Sequence, residues 1–133
     1  MLPLLHHFFN GENCLLFLYG IINSGKTYTM QGSGSNPGLL PNLVNSILEY
    51  LRKKNLNSDL KSSSSSLDLQ ISILEIYQEK IYDLLNDKKD KEKSIIRDNV
   101  SGVTEVSKLS IHSVGMYDDF LKLLVSSSAR RLV

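Results

Sequence analysis

The chain has a single cysteine, Cys14, in 133 residues. That excludes a disulfide framework and fits a reducing, cytosolic compartment. It has no dominant charge. The formal net charge is +1, so nothing global calls for nucleic acid or a membrane surface. No apolar run approaches the ~20 residues that cross a bilayer. The N-terminus lacks a basic segment, and His6 and His7 interrupt its apolar residues, so it does not read as a signal peptide. No internal repeat is present. What remains is ordinary: hydrophobic residues make up 41% and charged residues 22%, the balance of one globular domain with a modest core.

One stretch stands out. Gly20-Ile21-Ile22-Asn23-Ser24-Gly25-Lys26-Thr27 reads G-x-x-x-x-G-K-T, a phosphate-binding loop. Before it, Cys14-Leu15-Leu16-Phe17-Leu18-Tyr19 is unbroken and apolar, as a strand buried on both faces would be. Cys14 within that strand reads as a small core residue. Lys26 to Gln31 then open a helix. Gly20 and Gly25 let the backbone turn tightly and approach a phosphate with no Cβ in the way. Successive N–H groups bind the anion, aided by the positive end of the helix dipole. Lys26 reaches the β- and γ-phosphates as a point charge, and the Thr27 hydroxyl is the expected Mg2+ ligand. Hydrolysis needs more, namely an acid after a second apolar strand to hold the Mg2+ shell. Asp83 follows only Ile81-Tyr82 and Asp98 follows Arg97, so neither fits well.

The rest of the chain predicts short elements. Residues 3–10 suit a helix, with Pro3 in the first turn, Leu4, Leu5, Phe8 and Phe9 on one face, and Gly11 as the stop. Gly32–Gly38 has the composition of a flexible loop. Residues 40–54 carry the strongest helical pattern, with the stripe Leu40, Leu43, Val44, Ile47, Leu48 and Leu51. Arg52, Lys53 and Lys54 fall in its last turn, where cations suit the dipole. Residues 55–66, ending in Ser62–Ser66, form a surface linker. Leu67, Leu69, Ile71 and Ile73 alternate as a half-buried strand. Tyr77, Ile81, Leu84 and Leu85 then switch to helical spacing. Glu75, Glu79 and Asp83 read as solvated or ion-paired acids rather than a catalytic pair. Asp87–Lys93 is a solvated mixed-charge loop. Residues 94–111 hold short strands around Ser101-Gly102. His112 is isolated. Ser113 is placed to cap a last helix whose apolar face is Tyr117, Phe120, Leu121, Leu124 and Val125, with Asp118 and Asp119 at its start and Arg130 and Arg131 at its end.

Three blocks in this order resemble the kinesin motor domain family. Leu18-Tyr19-Gly20 followed by Asn23-Ser24-Gly25-Lys26-Thr27-Tyr28-Thr29-Met30 resembles its phosphate-loop block. Gly38-Leu39-Leu40-Pro41 is similar to its G-I/L-I/L-P. Leu74-Glu75-Ile76-Tyr77-Gln78-Glu79-Lys80-Ile81-Tyr82-Asp83-Leu84-Leu85 is nearly its LEIYNEKIYDLL. The wording is closest to the mitotic-kinesin-like subgroup. The resemblance implies an α/β P-loop NTPase fold of kinesin-motor type, incomplete here, with a central sheet carrying helices on both faces. Residues 1–133 would be a partial motor domain, from the phosphate loop to just before switch I. It implies ATP and Mg2+ as ligands, held by Gly20, Ile21, Ile22, Asn23, Ser24, Gly25, Lys26, Thr27 and Tyr28. It implies microtubules as partner and a place on the cytoplasmic cytoskeleton, with no role for nucleic acid or membrane. Tyr28 aligns with the residue that packs on adenine, and a core tyrosine is the other reading. Lysines between Lys88 and Lys108 overlap a part of the motor that can face acidic tubulin.

Departures from the family pattern set a second expectation. Ile21 and Ile22 replace the usual Gln, Val or Pro and then Thr, which removes a hydroxyl from the loop. Asn42 stands where Arg is common. Switch I, switch II and the strands that flank the phosphate-loop strand have no counterpart in these residues, so 14–19 should show an exposed apolar surface. One reading is therefore part of a working motor. The other is a truncated, catalytically inactive relative acting as a binding module. A generic P-loop kinase would not explain the Leu74–Leu85 block. For the isolated 133 residues, no microtubule-stimulated ATP turnover is expected.

Overall fold

A computed structural model describes residues 2–58, 67–86, 96–98, 102 and 104–132. The chain divides into two compact units, Met1–Leu67 and Asp68–Val133.

The first unit is helical. Helix α1 spans Leu2–Phe9. It stops where Gly11 takes a left-handed φ of 85°. There Gly11 N–H donates to Phe8 O at 3.0 Å and Glu12 N–H to His7 O at 3.1 Å, the Schellman pattern that glycine permits. Helix α2 covers Lys26–Gln31. A two-residue hairpin follows, β1 Gly32–Ser33 paired with β2 Asn36–Pro37. The stretch expected as a flexible loop thus holds a defined turn. Helix α3 then runs Leu39–Ser58. Its stripe is where expected: Val44, Ile47 and Leu48 are buried with Leu5 of α1, each burial stabilising by about 1.5–3 kcal/mol. Phe9 stacks on Tyr50 with ring centroids 3.8 Å apart, fastening α1 to α3.

Helix α3 is longer than its stripe predicts, so Arg52, Lys53 and Lys54 lie in its interior, exposed, rather than in its last turn. No Gly or Pro stops the helix there. Lys54 lies over the Tyr50 ring, 5.6 Å from its centroid. Residues 55–58 of the expected linker are therefore helical, and 59–66 lie outside the described residues. Asn55 bonds Leu67 twice, donating to its O at 3.0 Å and accepting from its N–H at 3.1 Å.

The run Cys14–Tyr19 forms no ladder, against expectation. Its residue types suit a buried strand, but no strand among the described residues lies beside it to pair with its N–H and C=O groups. Leu15 is 79% exposed and Tyr19 96%, the exposed apolar surface expected of this run. Cys14 is exposed with it and is not the core residue expected.

The second unit is built from short antiparallel pairs: β3 Leu69–Ile71 with β8 His112–Val114, β4 Leu74–Tyr77 with β5 Lys80–Asp83, and β6 Ile96–Asp98 with β7 Thr104–Val106. Helix α4 spans Tyr117–Arg130. Its core is Ile81, Leu84, Leu85, Val114 and Phe120. The helix expected from Tyr77 is instead the second arm of a hairpin. Ile76 pairs with Ile81 and Tyr77 with Lys80. Gln78 and Glu79 take φ of 48° and 59°, the positive values that a tight two-residue turn requires. The i, i+4 spacing of Tyr77 and Ile81 arises here from a turn of two residues.

Ser113 sits in β8 opposite Gln70 and does not cap α4. The cap position is Met116, without a side-chain hydrogen bond. Val125 is 71% exposed, because it lies about 100° around the helix from Leu124. His112 is a ladder residue opposite Ile71. The expected loop Asp87–Lys93 lies outside the described residues.

Candidate functional site

The loop from Gly20 to Lys26 closes on itself through its backbone. Ser24 N–H donates to Ile21 O at 3.3 Å. Asn23 has φ 64° and Gly25 φ 83°, both left-handed. Asparagine tolerates that region locally, while glycine enters it without steric cost. Gly25 is the residue before α2, and its carbonyl accepts the helix's first bond, from Thr29 N–H at 2.8 Å. A Cβ on Gly20 would lie 2.7 Å from Ser24 Oγ, so a larger residue there would need the Ser24 side chain to turn away.

Lys26 folds back across the loop. Its ammonium donates to Gly20 O at 2.8 Å, to Ile21 O, and to Ser24 Oγ at 3.4 Å. The cation is thus held at the mouth of the loop, and all three of its donors have loop acceptors. Ile21 and Ile22 are 83% and 86% exposed. Their side chains stand in solvent rather than inside the loop. What Ile21 contributes is its carbonyl. Thr27 is exposed in the first turn of α2.

Tyr28, also on α2, is 54% exposed, so the reading as a core tyrosine does not hold. Its hydroxyl accepts a hydrogen bond from Asn36 Nδ2 at 2.7 Å. Beside it lies an open groove of about 260 Å3, bordered by Tyr28, Thr29, Asn36, Pro37 and Asn42. The Asn42 side chain donates to Gly38 O at 2.9 Å and Pro37 O at 3.2 Å. Asn42 therefore closes the end of the hairpin, a role its sequence position did not reveal. A separate apolar cavity of about 160 Å3 lies between α1, α3 and the 14–16 segment, lined by Leu4, Phe8, Cys14, Leu16 and Ile47 among others.

The structure does not gather the acids near residue 80 into a pocket. Glu75 accepts Leu132 N–H at 2.9 Å and lies 3.8 Å from Arg131 Nε. Asp83 accepts the N–H groups of Leu85 at 2.9 Å and Ser110 at 2.7 Å. Burial pushes the Asp83 carboxyl up, but the Ser110 hydroxyl and the N–H groups around it outweigh burial and hold it below the usual carboxylate value. Glu79 is exposed at the hairpin tip. Among the described residues no group of three His, Cys, Asp or Glu is placed to hold a metal ion. A Mg2+ site of the expected kind does not need one, since this ion takes one or two protein ligands with phosphate oxygens and water.

The family model for the kinesin motor domain matches residues 1–133. The chain is 32% identical over 130 residues to the human kinesin-like protein KIF13B, covering 98% of this chain and 7% of that protein. It is 33% identical over 129 residues to the kinesin-like protein KIP3 of Saccharomyces cerevisiae, covering 97% of this chain and 15% of that one. Among solved structures, it superposes on a KIF14 dimer with AMP-PNP in complex with a microtubule. The TM-score is 0.83 at 32% identity, over 98% of this chain and 35% of that one. The chain thus spans less than a fifth of these curated relatives.

Proposed function

The chain belongs to the kinesin motor domain family, and from that premise we propose that its Gly20–Tyr28 stretch binds ATP with Mg2+ in a microtubule motor. The observation that carries this reading is the closed loop itself. Left-handed Gly25 opens α2, Gly20 packs closely on the Ser24 side chain, and the Lys26 ammonium is held across the loop's mouth. In a phosphate loop such an arrangement places a cation beside the backbone N–H groups that open the helix. In the proposed site Lys26 exchanges its loop acceptors for phosphate oxygens. The Thr27 hydroxyl takes a place in the Mg2+ shell, and Tyr28 offers its ring to the base. Bound Mg2+ supplies charge neutralisation for phosphoryl transfer. The outward Ile21 and Ile22 side chains are consistent with binding, because they leave the loop's interior to backbone groups.

KIF14, a structural neighbour, is described in complex with a microtubule in both an AMP-PNP and an ADP form. For this protein we extend the proposal to ATP-driven movement along cytoplasmic microtubules by the complete chain. The lysine-bearing stretch from Lys88 to Lys108 is the proposed tubulin-facing part; only 96–98, 102 and 104–108 of it are described.

The test is ATP binding by calorimetry in the intact protein, with and without Lys26→Ala. Losing a charge-assisted partner for phosphate should weaken ATP by about a hundredfold. Unchanged affinity would refute the phosphate-loop reading. Microtubule co-sedimentation, weakening as salt rises, tests the partner.

A further inference from the structure

The β1–β2 hairpin stands between α2 and α3 and is locked by backbone against backbone. A Cβ on Gly32 would collide with Asn36 O and Gly38 N, and one on Gly38 would come within 2.6 Å of Met30 O. The atoms nearest to both positions are backbone, which cannot turn aside as a side chain could. The Asn42 amide holds the hairpin's exit through Pro37 O and Gly38 O. From this fixed frame Asn36 Nδ2 reaches the Tyr28 hydroxyl at 2.7 Å. A half-exposed aromatic ring would otherwise sample several χ1 wells. A hydrogen bond at its far end, from a frame that cannot follow it, selects one.

We propose that Asn36 is a positioning residue: it fixes the Tyr28 ring as a stationary face for the base of the bound nucleotide. The proposal rests on the reading of Gly20–Tyr28 as a nucleotide site. The physical division is clear. Backbone N–H groups and Lys26 recognise phosphate and carry no information about a base. Discrimination between a nucleoside triphosphate and a bare triphosphate must come from outside the loop. The hairpin supplies it through one amide.

The experiment titrates the intact protein with ATP and, separately, with inorganic tripolyphosphate. The proteins compared are wild type, Asn36→Ala, Tyr28→Phe, the double variant and Lys26→Ala. Asn36→Ala and Tyr28→Phe should each weaken ATP about fivefold. The double variant should lose no more than either single one, because both delete the same bond. Asn36→Ala should leave tripolyphosphate affinity unchanged, which also shows that the loop remains folded. Unchanged ATP affinity in Asn36→Ala, or an equal loss for both ligands, overturns the inference. Lys26→Ala reports separately on the underlying site. Loss of both ligands supports it, and retention of both overturns the phosphate reading whatever Asn36 does.

Discussion

Phe17 and Phe120 carry the same side chain into opposite surroundings, 71% exposed in the first unit and 1% exposed in the second. The contrast extends beyond the two rings. The first unit buries one helical stripe and stacks one aromatic pair, and it leaves the apolar run before its candidate loop uncovered. Both units tie backbone down with polar side chains, the first over at most 12 residues of sequence, the second also across 27 to 57. Asp83 holds Leu85 and Ser110, Glu75 holds Leu132, and Arg130 donates to Leu84 O at 3.0 Å. Buried Ser127 returns its hydroxyl to Leu124 O at 2.9 Å. The half that carries the candidate chemistry uses such bonds within short stretches, and the other half uses them to join distant ones.

The sharpest way to break that comparison is the same deletion in both units. Phe120→Ala should cost about 3–5 kcal/mol by urea unfolding. Phe17→Ala should stay within about 0.5 kcal/mol. Equal costs would mean that Phe17 is covered in solution and that the contrast is false.

A smaller effect follows from Asp83. Its folded carboxyl ionises below the ordinary value, so its contribution to stability is present at neutral pH and is lost as pH falls through that lowered value. Asp83→Asn should cost about 1–2 kcal/mol at pH 7. It should also flatten the acid limb of the stability profile below about pH 4. An acid limb identical to wild type would assign the lost stability to other carboxylates. The smallest effect is expected at the hairpin tip. Gln78 has φ 48°, a region where Asn is more at ease. Gln78→Asn should therefore raise the unfolding free energy slightly, by about 0.5 kcal/mol. A destabilised variant would show that the Gln78 side chain itself is needed.

The candidate loop was legible in the sequence because its geometry follows from residue type: two glycines at fixed spacing, then Lys and Thr. The α3 stripe was legible for the same reason. The second arm of the Leu74–Asp83 hairpin was not legible: from Tyr77 the apolar spacing predicts a helix, and Gln78-Glu79 contains neither Gly nor Asn to announce a tight turn. The family resemblance of that block was nonetheless right. The Cys14–Tyr19 run failed differently. Its composition describes a strand, but a strand exists only with a partner. The bonds that pin the second unit join Glu75 to Leu132 and Asp83 to Ser110. Such distant pairs leave no local pattern. The Asn36–Tyr28 bond is short in sequence yet was hidden as well. It depends on Gly32 and Gly38 meeting, and composition marked that stretch only as flexible.

In the proposed site the Lys26 ammonium, already bonded by its own loop, would make phosphate capture a ligand exchange rather than an addition. An arriving phosphate would displace carbonyl oxygens that are already good partners, so measured affinity would report a difference between two sets of acceptors. The loop's own acceptors anchor the cation. A substitution that weakens those internal acceptors without touching the phosphate site would then tighten binding, a gain of affinity obtained by spoiling the resting state.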